Sequence, residues 1–532
     1  MIDTYRRHHW ALATVCVVLF LTFLDNTVVS VALANIRADI PSGVTDLEWV
    51  VNGYALTFAA FMLAGGTLGD LYGRKKVMMG GIAIFCAGSV VCAVAGDSPI
   101  LIIGRAVMGV GAAASEPGTL SMIRHVYPDR RRRARALGAW AAVSGLALAL
   151  GPVIGGILVG LWDFRAIFWF NLIFGVLVFI AAGVILPENS DPQGRHLDIP
   201  GLVLGAVALG AIVGAIITGE TVGYDTWWIL ALFALGGLAA VGFVLAERHV
   251  RDPVIAPRFW RNGAFTGSNI VVFCAYFSIF SIFFFVALYL QEVIGKSAFQ
   301  LATVFLPMAA ALIAASALTG RWVARRGARI PMTIGSAVAA LGVGLTDVIL
   351  DKGVNMVDLS LVLVIAGAGF GIVLVPVTTA VLSTVPAERS GMAASVTNTS
   401  RELGAVFGVA VLGALTNAQL NSSLTSQLKA LGIPADFQAI IFDAITQGAS
   451  PSQGGAAAHA NPGLAHLIDE VTNAAYTAFA DGLHVALLTS TLLLVAATIV
   501  AATLVRRPRQ VLNTDLQSED EATVAELAQD LG

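Results

Sequence analysis

Charge is what this 532-residue chain has least of: Asp, Glu, Lys and Arg together make up 12% of it, about half the share in a soluble protein of this size. That scarcity excludes an ordinary solvated globule, whose surface is built from these residues. Cysteine is scarce as well. Cys16, Cys86, Cys92 and Cys274 each lie inside an apolar run, and their spacing suits neither a disulfide framework nor metal ligation. They read as small buried residues. No HExxH zinc helix and no GxSxG nucleophile elbow occurs, so no enzyme chemistry and no metal or cofactor is expected. Gly295-Lys296-Ser297 has the ending of a phosphate loop, but Leu290 stands where the first glycine is required.

What the chain does have is long hydrophobic runs. Apolar residues make up 57% of it, and the mean hydropathy is +0.82. A membrane-spanning helix needs about 20 such residues. Runs at 10–36, 49–69, 77–96, 98–123, 136–162, 165–187, 199–219, 226–246, 263–291, 297–320, 330–350, 359–385, 391–417 and 482–505 predict an all-α membrane protein of fourteen spans. The first run, following Arg6 and Arg7, is too long for a signal-peptide core. With an even number of spans both termini lie on one side. Of the 31 Lys and Arg, 24 fall on segments sharing that side, Arg37, Arg165, Lys296, Lys352 and Lys429 fall opposite, and Arg105 and Arg401 fall within spans. The positive-inside rule makes the terminal side cytoplasmic. The Arg130 to Arg133 run with Arg135 is then an inner cluster, and no nucleic-acid partner is expected of it.

The chain also echoes itself. Gly66 and Gly73 are seven residues apart and run into Arg74-Lys75 after the second span; Gly320 and Gly327 are seven apart and run into Ala328-Arg329 after the tenth. Ala324 stands in the second copy where Asp70 stands in the first. Two parallel six-helix repeats are a known transporter plan. It predicts bundles at 1–187 and 263–509, an inserted pair of spans at 188–262, a long outer loop at 418–481 and an acidic tail at 510–532. Within the loop, Asp436 to Gln447 reads as a possible helix.

Ionisable residues inside spans cost at least about 2.5–3.5 kcal/mol each at mid-bilayer, so they are expected to be paired, to face a cavity or to do work. Asp25 lies roughly 22 Å from the inner start of the first span at 1.5 Å per residue, and Arg105 roughly 10 Å from the outer end of the fourth. Both fall at similar depth, so an ion pair is geometrically open to them. Such a pair is a candidate proton switch, because Arg favours the ionised acid and protonation releases it. Glu116 follows Arg105 by eleven residues, three turns plus about 20°, on the same helix face. Gly109 and Ala112 between them leave room for a ligand or for close packing. Glu402 falls near the midplane of the thirteenth span, with Arg401 pointing about 100° away. Asp347, near the outer end of its span, reads as snorkelling to water. Gly151-Pro152 with Gly155-Gly156 describes a closely packed fifth span lacking one backbone donor.

Together these stretches resemble the major facilitator superfamily, specifically its fourteen-helix drug:proton antiporter family. Leu24 to Leu33, with Asp25 and Asn26, resembles the first-helix signature. Gly66, Asp70, Gly73 and Arg74 resemble the loop motif between helices two and three, whose charges act as a gate. Arg105, Gly109 and Gly111 resemble the fourth-helix motif associated with proton coupling. Gly145, Gly151, Pro152, Gly155 and Gly156 resemble the fifth-helix motif typical of antiporters. The resemblance implies a monomeric inner-membrane exporter in which protons drive out a small lipophilic substrate, with Asp25 and Arg105 coupling protons and Asn26, Glu116, Arg401 and Glu402 lining the substrate cavity. Glu116 stands where this family usually has an apolar residue, and Glu402 where relatives often have Gln; extra acids suit a cationic substrate or a second protonation site. A dedicated exporter of one endogenous lipid or metabolite is the alternative, and an intramembrane enzyme or sensor the alternative of another class.

Overall fold

The computed structural model describes residues 2–127, 129–188, 199–249, 257–350, 353–385, 390–431, 433 and 462–505. Among these residues there are helices and short turns and no strand. In chain order they form α1 (Ile2–Val28), a 3₁₀ turn (Val29–Ala32), α2 (Leu33–Asp39), α3 (Val44–Tyr72), α4 (Arg74–Ala93), α5 (Ser98–Val126), α6 (Arg130–Leu161), α7 (Arg165–Ile185), α8 (Ile199–Val222) and α9 (Trp227–His249). There follow α10 (Pro257–Trp260), α11 (Gly263–Ser281), a π turn (Ile282–Val286), α12 (Ala287–Glu292), α13 (Ala298–Arg326), α14 (Arg329–Ile349), α15 (Met356–Ser383), α16 (Ser390–Ala430) and α17 (Pro462–Leu504).

Twelve helices among the described residues are long and apolar enough to cross a membrane. The second and fifth expected spans fall on α3 and α6, which are 29 and 32 residues long and stand outside those twelve. The protein is a multi-pass membrane protein whose large exposed apolar side chains, such as Val184, Leu238 and Val348, suit a lipid surround.

Helix packing repeats. In the first set α3 and α4 pack on α5, α4 on α7, and α1 on α6 and α7. In the second, α13 and α14 pack on α15, α14 on α17, and α11 on α16 and α17. The sets meet through α6 against α13 and α3 against α16, which are images of each other under the same correspondence. The α8–α9 pair stands outside the repeat, with α8 laid on α3 and α16. Ala55, Val213, Ile217, Val406 and Ala410 form the apolar contact there. The helix opening each set is interrupted past its middle, by the 3₁₀ turn in one and the π turn in the other, and the two turns touch. A change of helical pitch inside a long helix is a frequent mark of a functional segment.

The sequence echo has a backbone cause. Gly73 and Gly327 each close a helix at positive φ, 109° and 77°, a region that side chains with Cβ adopt at a cost. The chain reverses there into α4 and α14. These turns define one end of the bundle, called here the Gly73 end; the opposite Asp39 end carries α2 and α12.

Three expectations change. The segment 418–481 is largely helical where described: α16 runs on to Ala430 and α17 begins at Pro462. Leu420, Leu424 and Leu428 pack on Ala474, Ala475 and Ala478, so an apolar stripe inside a polar stretch extends both helices beyond the expected membrane boundary. Asp436 to Gln447 and the tail 510–532 lie outside the described residues. The helix of the fifth expected span, 136–162, starts earlier: the Arg130 run opens α6, whose first turn is capped by Asp129 Oδ1 accepting from the Arg132 N–H at 2.9 Å. Asp347 is bonded to His484 Nδ1 at 2.8 Å with its carboxylate only 9% exposed, so a partner on α17 rather than snorkelling accounts for it.

Gly73→Ala places a Cβ at positive φ and within 2.7 Å of Glu188 Oε1. We expect it to lower stability by about 1–2 kcal/mol, whereas Gly80→Ala, inside α4 with nothing within 4 Å of the new Cβ, should raise it by about 0.5–1 kcal/mol. Thermal unfolding of the two purified variants checks the contrast.

Candidate functional site

Asp25 and Arg105 meet. An Arg105 guanidinium nitrogen donates to Asp25 Oδ2, and both side chains are completely buried. Four helices build the pair. Asn171 of α7 donates from Nδ2 to Asp25 Oδ1 at 2.6 Å. Arg105 Nε donates to the Val50 carbonyl of α3 at 2.9 Å, and the guanidinium lies 4.5 Å from the Tyr54 ring centroid. Tyr54 in turn donates its hydroxyl to the Thr22 carbonyl of α1 at 2.8 Å. A buried ion pair is stable only when its remaining lone pairs and protons are also met, and these neighbours supply most of that.

Small residues make the approach possible. A Cβ on Gly109 would overlap Thr57 Oγ1 and the Tyr54 carbonyl of α3, and one on Gly111 would overlap the Phe85 backbone of α4. Gly109 therefore serves close packing between α5 and α3, not ligand space. The fifth-span glycines divide between two faces of α6. Gly151 and Gly155 lie on Thr27 and Val28 of α1, the residues just past Asp25, while a Cβ on Gly156 would stand 2.6 Å from Ala302 Cβ of α13 in the other set. Gly145 has ordinary room, 3.9 Å from Leu312 Cδ2. Pro152 lies inside α6, between the two faces.

The other acids lie on the seam between the sets, each held by an amide from across it. Asn26 Nδ2 of α1 donates to both Glu402 oxygens of α16, at 3.2 and 3.1 Å. Asn398 Nδ2 of α16 donates to Glu116 Oε1 of α5 at 2.9 Å. One acid comes from each set and one amide from each set. Arg401 does not bond to Glu402; it donates to Asn398 Oδ1 at 3.3 Å and to Thr378 Oγ1 at 3.2 Å, with its guanidinium 5.7 Å from the Tyr276 ring centroid. Trp140 Nε1 reaches Thr119 Oγ1 at 2.9 Å, and Thr119 donates to the Glu116 carbonyl at 2.6 Å. All four members of the two amide–acid pairs are buried.

Of the residues the sequence singles out, Asn26, Glu116, Arg401 and Glu402 gather at the seam, while Asp25 and Arg105 pair inside the first set. Sequence reasoning missed Asn171, Asn398, Tyr54 and Tyr276, uncharged residues in apolar runs. Gly66 and Gly73 stand apart at the Gly73 end, with Gly66 3.5 Å, as a Cβ, from Pro117 Cβ. There the Lys75 N–H donates to Glu188 Oε1 at 3.2 Å and Lys75 Nζ to the Gly183 carbonyl at 2.6 Å. Arg74 opens α4, and the Asp70 side chain lies outside the described ones.

A double-mutant cycle of Asn26→Ala and Glu402→Ala, read by unfolding in lipid-like solvent, should return a coupling of about 0.6 kcal/mol and no more than about 1.7. Additive effects would mean that the pair carries no energy.

Comparison with known proteins follows the same lines. The sequence pattern described as Major Facilitator Superfamily matches residues 15–201 and 200–409. "Multidrug resistance protein Stp" of Mycobacterium tuberculosis (strain CDC 1551 / Oshkosh) is 32% identical over 77% of this chain and 76% of that protein. "Methylenomycin A resistance protein" of Bacillus subtilis (strain 168) is 34% identical over 76% of this chain and 87% of its own length. "Tetracenomycin C resistance and export protein" of Streptomyces glaucescens is 28% identical over 83% of each. Among solved structures, a bacterial homologue of the human lysosomal transporter Spinster, crystallised inward-facing and unoccupied, aligns with 94% of this chain and 99% of its own at a TM-score of 0.60 and 17% identity. That likeness is one of fold.

Proposed function

This chain belongs to the major facilitator superfamily and is an efflux transporter of small molecules; we propose that protons drive it and that its substrates are lipophilic cations. In this reading all fourteen long helices cross a bacterial inner membrane, with both termini and the Gly73 end cytoplasmic, as the distribution of Lys and Arg supports. Residues 1–187 and 263–509 act as the two rocking bodies, 188–262 as an insert between them, and a single copy is the working unit.

The observation that carries the reading is the juxtaposition of two unlike acidic sites on neighbouring residues. Asp25 turns into its own helical set and meets a fixed cation, Arg105. Asn26, next in the chain, turns to the seam and holds Glu402. Glu402 and Glu116 accept from amides, which carry no charge, and Arg401, which acts on both acids, balances one carboxylate charge and leaves the other. A substrate cation or a proton balances it. Asp25 behaves differently: held against Arg105 it has its counter-charge, and parted from Arg105 it is left with desolvation alone, so that a proton takes the place of the counter-charge. A small shift of α1 relative to α5 within the first body, driven through the seam contacts of α1 as the bodies rock, would switch between these states. Asp70 and Arg74 then gate the Gly73 end. The gradient-linked step and substrate binding are coupled because α1 carries both Asp25 and Asn26.

A second reading, a dedicated exporter of one endogenous product, is favoured by the likeness to the Streptomyces glaucescens relative, a tetracenomycin C resistance and export protein. A transport panel separates them: several unrelated lipophilic cations accepted, or one compound only.

In proteoliposomes with an imposed pH gradient, Asp25→Asn should abolish substrate accumulation while leaving part of the downhill exchange, and Arg105→Ala should impair the same driven step. Wild-type accumulation by Asp25→Asn would move the proton to another acid. Glu402→Gln keeps the shape and removes the charge; it should weaken export of monovalent cations about tenfold or more, the effect of about 1.4 kcal/mol, and that of neutral compounds less. Equal losses in the two classes would overturn the assignment of Glu402 to cation recognition.

A further inference from the structure

A second acidic pair lies where α3, α8 and α16 meet near the Asp39 end. Glu48, in the first turns of α3, is completely buried, and neither of its carboxylate oxygens has a hydrogen-bond partner. Asn52, one turn further along the same face, is also completely buried, with Nδ2 and Oδ1 both unpartnered. Opposite them on α16 is Gly413, where a Cβ would overlap Glu48 Oε1. Glu220, near the end of α8, accepts from Asn417 Nδ2, four residues on from Gly413, and its Oε1 is buried without a partner.

Among the described residues, the surroundings offer no balancing cation to this pair. The charged group acting on Glu48 is Glu220. Tyr224, in the turn after α8, feels both acids and donates its hydroxyl to the Ile216 carbonyl at 2.9 Å. From α16 come the neutral Gly413 and Asn417. From α5 comes Arg105, whose bonds go to Asp25 and to the Val50 carbonyl. Asp46, on α3 itself, accepts from the Gly43 N–H at 3.0 Å. Two carboxylates within electrostatic reach in a water-poor seam cannot both stay ionised. The orphaned oxygens and the idle amide of Asn52 mark a place for a donor, and the smallest occupant that removes the charge is a proton.

The site also straddles the seam. At the Asp39 end the two sets are closed on each other: Gln291 Nε2 of α12 donates to the Val31 carbonyl at 2.6 Å, Arg37 of α2 approaches Glu292 at 4.0 Å, and Gly156 packs on α13. Parting of the sets at this end would lift Gly413 off Glu48 and admit water, which solvates an ionised acid. Closure expels that water again. We propose that Glu48 and Glu220 form a second proton-binding site, separate from Asp25, whose occupation by one proton permits the Asp39 end to close. The proposal rests on the reading above of two rocking bodies, which give alternating access by opening and closing each end in turn. Its sign is definite: acid on that side favours the closed end, and alkali the open one.

The test uses the full-length protein in lipid nanodiscs, with the four native cysteines replaced and spin labels at Ala38 and Lys296 on opposite sets. Pulsed dipolar distances across the Asp39 end are measured against pH. In the otherwise wild-type protein the ratio of closed to open should fall by up to about tenfold per pH unit through the titration, the limit for one proton. Glu48→Gln and Glu220→Gln should remain closed over the whole range, Glu48→Asp should recover the response, and Asp25→Asn should keep it. Glu48→Gln and Glu220→Gln variants that open like the wild type overturn the site while leaving the transport reading intact. A ratio that follows sodium at fixed pH overturns the proton as occupant. A wild-type protein that shows one distance at every pH overturns both this proposal and the alternating access beneath it.

Discussion

Inside a helical bundle surrounded by hydrocarbon, a carboxylate has to find its counter-charge and its donors within the protein. Asp25 finds them in Arg105, eighty residues along the chain, and in Asn171 on a third helix. Much of the first helical set can be understood as what brings these groups together. α5 is wedged between α3 and α4 through Gly109 and Gly111, which sets the depth of Arg105. α6 lies close on α1 through Gly151 and Gly155, which holds the segment just past Asp25. Each contact removes a side chain so that backbones can approach, the usual means by which helices associate where lipid is as apolar as leucine.

The seam between the sets is built on a weaker principle. Glu116 and Glu402 there are held by amides donated from the opposite set, so neither half satisfies its own carboxylate. A hydrogen bond between helices in a membrane is worth about 0.6 kcal/mol on average, so the two pairs together contribute only about 1 kcal/mol. That is enough to register the halves and too little to lock them. Glycines bring helices together within each set and, through Gly156 on α13, across the seam as well; in the reading proposed above the seam is where the two bodies move. The pitch changes at Val29–Ala32 and Ile282–Val286 touch there, in the helices that open each set.

Much of this was legible in the residues. Hydrophobic run lengths gave helices at all fourteen expected places, and the seven-residue glycine spacing anticipated two turns that share a positive φ. Rise per residue was enough to bring Asp25 and Arg105 to one depth. The neutral partners were not legible, because Asn171 and Asn398 carry no charge to stand out from an apolar run and only tertiary packing selects them. Glu48 and Glu220 were passed over for a different reason. Each falls one residue beyond an expected span, at 49–69 and 199–219, where a charged residue ordinarily faces water; α16 covers one and bonds to the other. The helical extension of α16 and α17 was hidden in the same way, its leucine and alanine stripe diluted by polar residues facing outward.

The placing of α8 has a consequence for how a hydrophobic molecule reaches the seam. Two halves that rock against each other leave two lateral slots toward the bilayer, one between α6 and α13 and one between α3 and α16. Here the second slot is roofed by α8, through Val213 and Ile217 on Ala55, Val406 and Ala410, while among the described residues no such helix is laid across α6 and α13. A solute dissolved in the lipid leaflet therefore meets a molecule with a front and a back. For the lipophilic substrates proposed above, entry from the membrane plane would be confined to one flank, and the orientation of the transporter among its neighbours in the bilayer would become part of its supply of substrate.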